Sequence, residues 1–591
     1  MAIEIDYDRD QYLDEFSLKT LQDRYMLPEE VSPQEAFARA ARAFSDDDIM
    51  AQRIYDYASK LWFMFSTPIL SNGGTSRGLP ISCFLNYVED SRGGITDHYT
   101  ENAWLSSVGG GIGGSWSSIR SVGSTTSHGS ESTGVIPFMK VVDSQMLAFS
   151  QGVTRRGSYA SYLHMSHPEI EEFLDMRKPT GGDINRKSTN LHHGVVIPDS
   201  FMRLIDKATH EENFDDSWDL IDPHSGEVKK TVQAKTLWVK LIQNRIETGE
   251  PYLMFEDTVQ NGLPEFQQEL GLKVNHSNLC SEITLPTNEE RTAVCCLSSV
   301  NLEKFDEWQD NEFFIHDLVR FLDNVLTHFI ETAPDTLSKA RYSAERERSI
   351  GLGAMGFHAY LQKKNIPFES MFAQSTNYTI FRHIKEQAQF ETEELAKERG
   401  ACPDDKNYRV RNAHLLAIAP NASSSIICGN TSPSIEPYRA NAFTQKTKTG
   451  SSLLKNKFLE KLLDKKGKNT PEVWKSVITN HGSVQHLDFL SEFEKSVFVT
   501  AVEIDQRWVI DLAAQRQEFI CQSQSCNVFF AADVSKQELH NVHMSAWKKG
   551  MKTLYYLRSE AIKRADTVSD KKLREYIFDY DDEEGCLACE G

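Results

Sequence analysis

The stretch SNLCSEITLP, residues 277–286, fixes where the chemistry of this chain lies. In an extended segment successive side chains point to opposite faces. Asn278, Cys280 and Glu282 then share one face, and Leu279, Ser281 and Ile283 take the other. An amide, a thiol and a carboxylate in a row make poor core, because a buried carboxylate without a partner is costly. The plain reading is a strand with one wet side. The functional reading is a hydrogen bonder, a sulfur and a base within reach of one small molecule.

Outward from this stretch, the pattern is α/β. From FSTPILSNGG (residues 65–74) onward, short apolar or β-rich runs alternate with glycine-rich loops and longer helical stretches. Candidate strands are ISCFLNYV, HHGVVIP, NLCSEITLP, TAVCCLSSVNL, LLAIAP and SCNVFFAA; candidate helices cover 315–332, 381–399 and 497–515. The first 65 residues read as a small helical domain. Ser32, Pro33, Gln34 and Glu35 form a capping box with proline at the first helical position, followed by Phe37, Ala40, Ala41 and Phe44 at helical spacing. Asp46, Asp47 and Asp48 open the next helix, whose face is Ile54, Tyr57, Ala58 and Leu61. Residues 66–566 are expected to form the main domain, and 567–591, charged and poor in apolar residues, a mobile tail.

Composition sets bounds. A chain of 591 residues can hold a large core, and 40% hydrophobic with 25% charged residues is ordinary for a soluble protein. No apolar run approaches the roughly 20 residues that cross a bilayer, and MAIEIDYDRDQ has no signal-peptide character, so a cytoplasmic protein is expected. Ten cysteines are too sparse for a disulfide scaffold. A net charge of −21 argues against coating nucleic acid, so anionic ligands must be held by local features.

Several weaker signals favour plain readings. GGGIGG (109–114) satisfies GxGxxG, but a helical stretch precedes it and no Lys-Ser/Thr follows, so a tight reversal where a helix meets a strand is expected. CQSQSC, with Cys521 and Cys526, lacks a second ligand pair and reads as buried structural cysteines. The doublet His192-His193 reads as a satisfied strand pair rather than a metal site, and Cys402 and Cys428 carry no local signal.

NLCSEITLP resembles the active-site strand of ribonucleotide reductase large subunits, and further motifs match in the same order from about residue 50 onward. FSTPILSNGGTSRGLPISC resembles the strand that brings the first redox cysteine, here Cys83, with Thr67 and Ser82 on the substrate. AVCCLSSVNL resembles the strand of its partner, Cys295 by register; the adjacent Cys296 points to the other face. APNASSS resembles the substrate-phosphate loop, giving Asn421, Ala422, Ser423 and Ser424; Asn421 stands where relatives often have Ser or Thr. AWKKGMKTLYYLRS resembles the segment with a tyrosine pair, Tyr555 and Tyr556. The resemblance implies a ten-stranded α/β barrel of two five-stranded halves, with Cys280 on a central finger, preceded by the helical domain. It also implies a radical reaction, because no good leaving path exists for a ribose 2′-hydroxyl on an unactivated carbon. Cys280 as a thiyl radical would take the 3′-hydrogen, Glu282 the 3′-OH proton with Asn278 orienting the sugar, and Cys83 with Cys295 would supply reducing equivalents and end as a disulfide.

The Tyr555-Tyr556 pair resembles the class I arrangement, in which a separate metal-bearing small subunit supplies the radical and this subunit holds no permanent cofactor or metal. The adenosylcobalamin-dependent class II is the runner-up, and no glycyl-radical motif is found near the end of the chain. Outside catalysis, a nucleotide-binding homologue without activity is opposed by retention of every required cysteine, and a general dithiol oxidoreductase by the position of its CxxC. Substrates would be ribonucleoside diphosphates, and ATP, dATP, dTTP and dGTP the effectors at a homodimer interface. By register, Asp90 matches the residue on the effector nucleoside and Arg120 a phosphate contact, with Arg156 in the relay loop QGVTRRGSY. Many relatives begin with an ATP-binding cone of roughly one hundred residues; only about 65 precede the first substrate motif here, so none is expected. Cys586 and Cys589, in CLACEG at the end of the chain, would carry electrons from thioredoxin or glutaredoxin to the buried pair. A tail of about 20 residues typically spans roughly 25 Å.

Overall fold

The computed structural model describes residues 3–149, 157–178, 181–447 and 450–559. Its strands in chain order are β1 (Phe63–Phe65), β2 (Cys83–Tyr87), β3 (Gly111–Ser115), β4 (Tyr159–His164), β5 (His192–Ile197), β6 (Ser217–Ile221), β7 (Val228–Gln233), β8 (Tyr252–Phe255), β9 (Ala293–Asn301), β10 (Ile350–Met355), β11 (Ala442–Thr447), β12 (Gly450–Lys455), β13 (Val528–Phe530), β14 (Thr553–Leu554) and β15 (Leu557–Ser559).

Strands β2, β3, β4, β5 and β8 run parallel and side by side, giving one five-stranded half. The second half starts with β9 and β10, also parallel. It continues through residues 414–419, which bridge β10 at Leu352–Leu416, and through 522–526, which meet them at Ile418–Gln524. Parallel β13 and β15 follow. The two halves join antiparallel on both sides, β2 against β9 and β14 against β8, so the sheet curls into a ring. Tyr555 N donates to Cys526 O (2.9 Å) at the closing seam. The first half is thus a regular five-stranded sheet, and the second is less regular, with LLAIAP held by isolated bridges rather than a ladder.

The ring encloses its own apolar cluster, distinct from the one outside it. The inner cluster contains Cys83, Cys280, Cys295, Tyr252, Tyr555 and Tyr556 together with aliphatic residues such as Leu279, Ile283 and Leu297. Alternation along β9 explains one choice: Cys295 faces in, while Cys296 faces out and donates to Leu322 O (3.4 Å) on the helix Phe314–Thr332.

At the N-terminus, helices Glu15–Arg24, Pro33–Ala43 and Asp48–Ser59 pack on the barrel. The Ser32 hydroxyl accepts from Gln34 N and Glu35 accepts from Val31 N, a shifted version of the expected capping box. β1 pairs antiparallel with β9, and Arg53 makes two 2.7 Å bonds to Asp317, fastening these helices to the second half.

Three expectations are corrected. Residues 277–286 form a loop with a turn at its tip, not a strand. The side chains of Ser277 and Asn278 take the backbone partners a neighbouring strand would have used: Asn278 Oδ1 accepts from Ile283 N (3.1 Å), and Ser277 Oγ donates to Ile283 O (2.7 Å). Ser281 sits at φ 67°, in the left-handed region, which turns the chain. The helix expected over 497–515 is two helices, Glu492–Val497 and Gln506–Gln517. Asp505 caps the second by accepting from Arg507 N, and Thr500 donates its N–H to Glu503 between them. The helix expected from 381 starts earlier, at Met371, behind the cap Ser370. Strands β1, β3, β4, β8 and β10 are not among the expected ones; in β3, glycines conceal the β pattern.

Candidate active site

The finger enters the barrel because β3 makes room for it. A Cβ on Gly113 would lie 2.2 Å from Ser277 O and 2.8 Å from Asn278 Cα, so only glycine lets the two backbones approach. His276 Nε2 bonds Gly113 O (3.0 Å) at the base of the finger, and Tyr162 donates to Asn278 O (2.7 Å) from β4. These contacts hold the tip where Cys280 is fully buried.

Around Cys280 the expected set converges. Asn278 Nδ2 donates to Cys83 Sγ (3.3 Å), and the Tyr555 hydroxyl donates to Cys280 Sγ (3.6 Å). Cys83 and Cys295 are direct partners in the antiparallel β2/β9 register. Such partners lie about 4.5–5.5 Å apart at Cα, within disulfide range, yet both are free thiols here. Burial, with Cys296 and Cys83 nearby, pushes the Cys295 thiol well above its ordinary value, which keeps it a thiol until a reaction demands its proton. Gln522 Nε2 lies 3.8 Å from Cys295 Sγ.

Glu282 is fully buried, and burial raises its carboxyl to about 7 against the hydrogen bonds of Asn278 and Ser525. Ser525 Oγ donates to Glu282 Oε2 (3.2 Å) and to Cys280 O (2.6 Å), while among the described residues Glu282 Oε1 has no hydrogen-bond partner. A carboxylate poised near neutrality with one open oxygen suits a general base. Ser525 and Gln522 were missed from the sequence. The signal lay in CQSQSC, where the polar residues between the cysteines reach the site.

Among the described residues, the hydroxyl oxygens of Ser66, just after β1, of Ser82, just before Cys83, and of Ser424, just after the 414–419 stave, are buried and have no partner. Buried hydroxyls left without partners call for a polar ligand. Asn421, at φ 56°, caps the helix Ala422–Ile427 and donates Nδ2 to Ser299 Oγ (2.8 Å), which fixes the loop carrying Ala422, Ser423 and Ser424 to β9. Thr67 opens the helix Thr67–Asn72 and shares a 3.1 Å hydrogen bond with the Tyr25 hydroxyl.

The rings of Tyr555 and Tyr556 lie 4.3 Å apart, tilted by 53°. Tyr252, also missed, packs 4.8 Å from Tyr555 and 5.1 Å from Tyr556. Elsewhere, Asp90 and Arg120 meet as an ion pair at 3.0 Å, and His224 Nδ1 from the β6–β7 turn lies 3.1 Å from the same carboxylate. Arg156, Cys586, Cys589 and the expected tail 567–591 lie outside the described residues. Among the described residues no helix is long and apolar enough to cross a membrane.

Known proteins resemble this chain over almost all of its length. The profile of the ribonucleotide reductase barrel domain matches residues 81–409 and 404–557, and that of its all-alpha domain matches 11–78. The chain is 44% identical over 640 aligned residues to the ribonucleoside-diphosphate reductase large subunit of Invertebrate iridescent virus 3, covering all of both. It is 47% identical over 545 residues to the putative large subunit of Frog virus 3, covering 92% of this chain and 93% of that one. The solved class Id ribonucleotide reductase alpha subunit of Actinobacillus ureae superposes with a TM-score of 0.82 at 36% identity, covering 95% of this chain and all of that one.

Proposed function

The chain belongs to the ribonucleotide reductase large subunits, and from that premise we propose how its residues reduce ribonucleoside diphosphates. The adenosylcobalamin-dependent reading is not favoured, because the relatives are large subunits of ribonucleoside-diphosphate reductases. The observation that carries the proposal is the convergence of Cys280, Glu282, Asn278 and the Cys83/Cys295 pair inside one barrel. A thiyl radical on Cys280 takes the 3′-hydrogen of the ribose. Glu282 accepts the 3′-OH proton, and Asn278 orients the sugar. The 2′-OH leaves as water with a proton from the cysteine pair. Cys83 and Cys295 give two electrons and their second hydrogen to C2′ as they close to a disulfide, Glu282 returns its proton to the 3′-oxygen, and Cys280 returns its hydrogen to C3′. The orphaned hydroxyls at Ser82 and Ser424, with Thr67, Asn421, Ala422 and Ser423, hold the diphosphate and ribose. Convergent hydroxyls and amides bind an anion without a lysine cluster in a chain of net charge −21.

Tyr555, 3.6 Å from Cys280 Sγ, and Tyr556 behind it make a path along which a small subunit's radical reaches the thiol. Nucleoside triphosphates bind at Asp90, Arg120 and Arg156 at a homodimer interface. Helices Arg92–Ser107 and Val135–Ala148 pack together through Tyr99 and Gln145 and leave Trp104, Val141, Leu147 and Phe149 exposed, an apolar face that a second copy would cover. Thioredoxin or glutaredoxin restores the dithiol through Cys586 and Cys589 in the cytoplasm.

The test is CDP reduction by the chain with a radical-loaded small subunit. Cys280→Ser is expected to abolish turnover while CDP still binds. Residual multiple turnover would assign the radical to another residue.

A further inference from the structure

Glu250 is a buried carboxylate that the reaction above does not use, and the groups around it lead to the radical path. It receives Arg177 Nη1, His192 Nδ1 (2.6 Å), His193 N (3.0 Å) and His193 Nδ1 (2.9 Å). Burial pushes its carboxyl up, but Arg177, His192 and His193 outweigh that and hold it well below the usual range, so it is an anion. The two histidines are neighbours on β5 and therefore face opposite ways. His193 turns out of the barrel, its ring 5.3 Å from Phe173. His192 turns in, where its Nδ1 lies 3.3 Å from the Tyr556 hydroxyl oxygen and its ring 6.2 Å from Tyr252.

We propose that His192, fixed by Glu250, is the positioning residue of Tyr556, donating its Nδ1–H to the phenol oxygen and directing the phenol's own hydrogen towards Tyr555. The proposal rests on Tyr556 being a station of the radical path. His192 Nδ1 lies 3.0 Å from Arg177 Nη1, a donor, and 2.6 Å from a Glu250 carboxylate oxygen, an acceptor; the shorter contact is to the anion, which places the proton on Nδ1, shared between Glu250 and Tyr556. With the phenol oxygen occupied as an acceptor from that side, the Tyr556 O–H is directed towards the Tyr555 ring, 4.3 Å away and tilted by 53°. The exchange is then a hydrogen atom passed between two phenols. The O–H bond of Tyr555 breaks as that of Tyr556 forms, the unpaired electron moves to Tyr555, and His192 keeps its proton throughout. Other charges facing Tyr556 are Arg558, whose guanidinium carbon lies 4.1 Å from the ring centre, and Arg177, which lies 3.0 Å from His192 Nδ1.

The experiment uses the full chain alone, with a fluorotyrosine at position 556 whose phenol is titrated by fluorine NMR. A donated N–H stabilises the phenolate, and its loss leaves Glu250 facing that oxygen. His192→Phe is therefore expected to raise the phenol pKa by about one unit or more, the worth of one hydrogen bond to a charged group. His192→Asn, which keeps an N–H where Nδ1 stood, is expected to restore most of the shift. An unchanged or lowered value in His192→Phe overturns the proposal. Nitrogen NMR of labelled histidine in the unsubstituted chain is an independent arm, since a lone-pair-bearing Nδ1 on His192 overturns it whether or not the variants fold. Full turnover by Tyr556→Phe would instead remove Tyr556 from the radical path and leave the titration result standing.

Discussion

Glu282 shows how one side chain's surroundings set its acidity. Its ordinary carboxyl value of 4.5 is raised to about 7 by burial, opposed by the Asn278 and Ser525 hydrogen bonds. A base works only when ionised, so in the free enzyme kcat/KM for CDP should fall as pH drops below about 7. Ser525 favours the ionised form, and Ser525→Ala should move that acid limb to higher pH by about one unit, while Ser525→Thr, which keeps the hydroxyl, should leave it in place. An acid limb that stays put in Ser525→Ala would show that Glu282 is not the titrating base. The same shift weighs on stability. A carboxyl whose folded value is raised favours the folded state at low pH, and that advantage is lost between 4.5 and about 7, at about 3 kcal/mol in all. Glu282 and Asn278 were legible as a set because neither belongs in a core. Ser525 was not, because a serine in a mixed polar run gives no sign of which oxygen it will meet.

At the scale of elements, the finger reached the expected cluster by a different route. Alternation grouped Asn278, Cys280 and Glu282 on one face of a strand, whereas a turn at Ser281 and two side-chain caps fold them together. Period-two reasoning assumes a ladder of neighbours to pair with, and inside the barrel the finger meets single contacts instead, such as Ser523 N to Glu282 O (2.9 Å). It did succeed on β9, where neighbours exist on both sides and Cys295 faces in while Cys296 faces out. The two missed strands that flank the finger, β3 and β4, carry glycine and polar residues for the same reason: the finger's backbone, not a side chain, fills the space above Gly113. Gly113→Ala should therefore displace the tip, because a methyl 2.2 Å from Ser277 O meets backbone that cannot rotate away. Overpacking costs about 1–3 kcal/mol, and a displacement of about 1 Å at a reacting thiol is worth up to about a hundredfold in rate. The expected outcome is a large loss of single-turnover CDP reduction with only a modest fall in melting temperature. Wild-type turnover would mean that the finger is not pinned by this contact.

For the whole molecule, closing the barrel creates a problem that the barrel alone does not solve. Cys83 and Cys295 have no exposed surface, as protection of a radical next to them requires, so a protein reductant cannot touch them. On the proposed mechanism each turnover leaves them joined, so a second turnover needs a dithiol small enough to enter. Cys586 lies 27 residues beyond Ser559, the last residue of β15, and a chain of that length reaches at most about 90 Å. A compact domain of this length has a radius of gyration of about 25 Å, so an extended tail is long enough for the Cys586/Cys589 pair to meet the buried one. Exchange proceeds by thiolate attack on a disulfide sulfur, so the pair must meet the Cys83–Cys295 bond directly and leave as a disulfide itself. Replacing both Cys586 and Cys589 by Ser should spare one turnover of a pre-reduced chain, seen as close to one deoxynucleotide per active site in a quench experiment. Continued cycling with thioredoxin should be lost, while a small dithiol such as dithiothreitol, able to enter the barrel, should restore it. Loss of the first turnover as well would mean that the pair acts inside the reaction and not only between reactions.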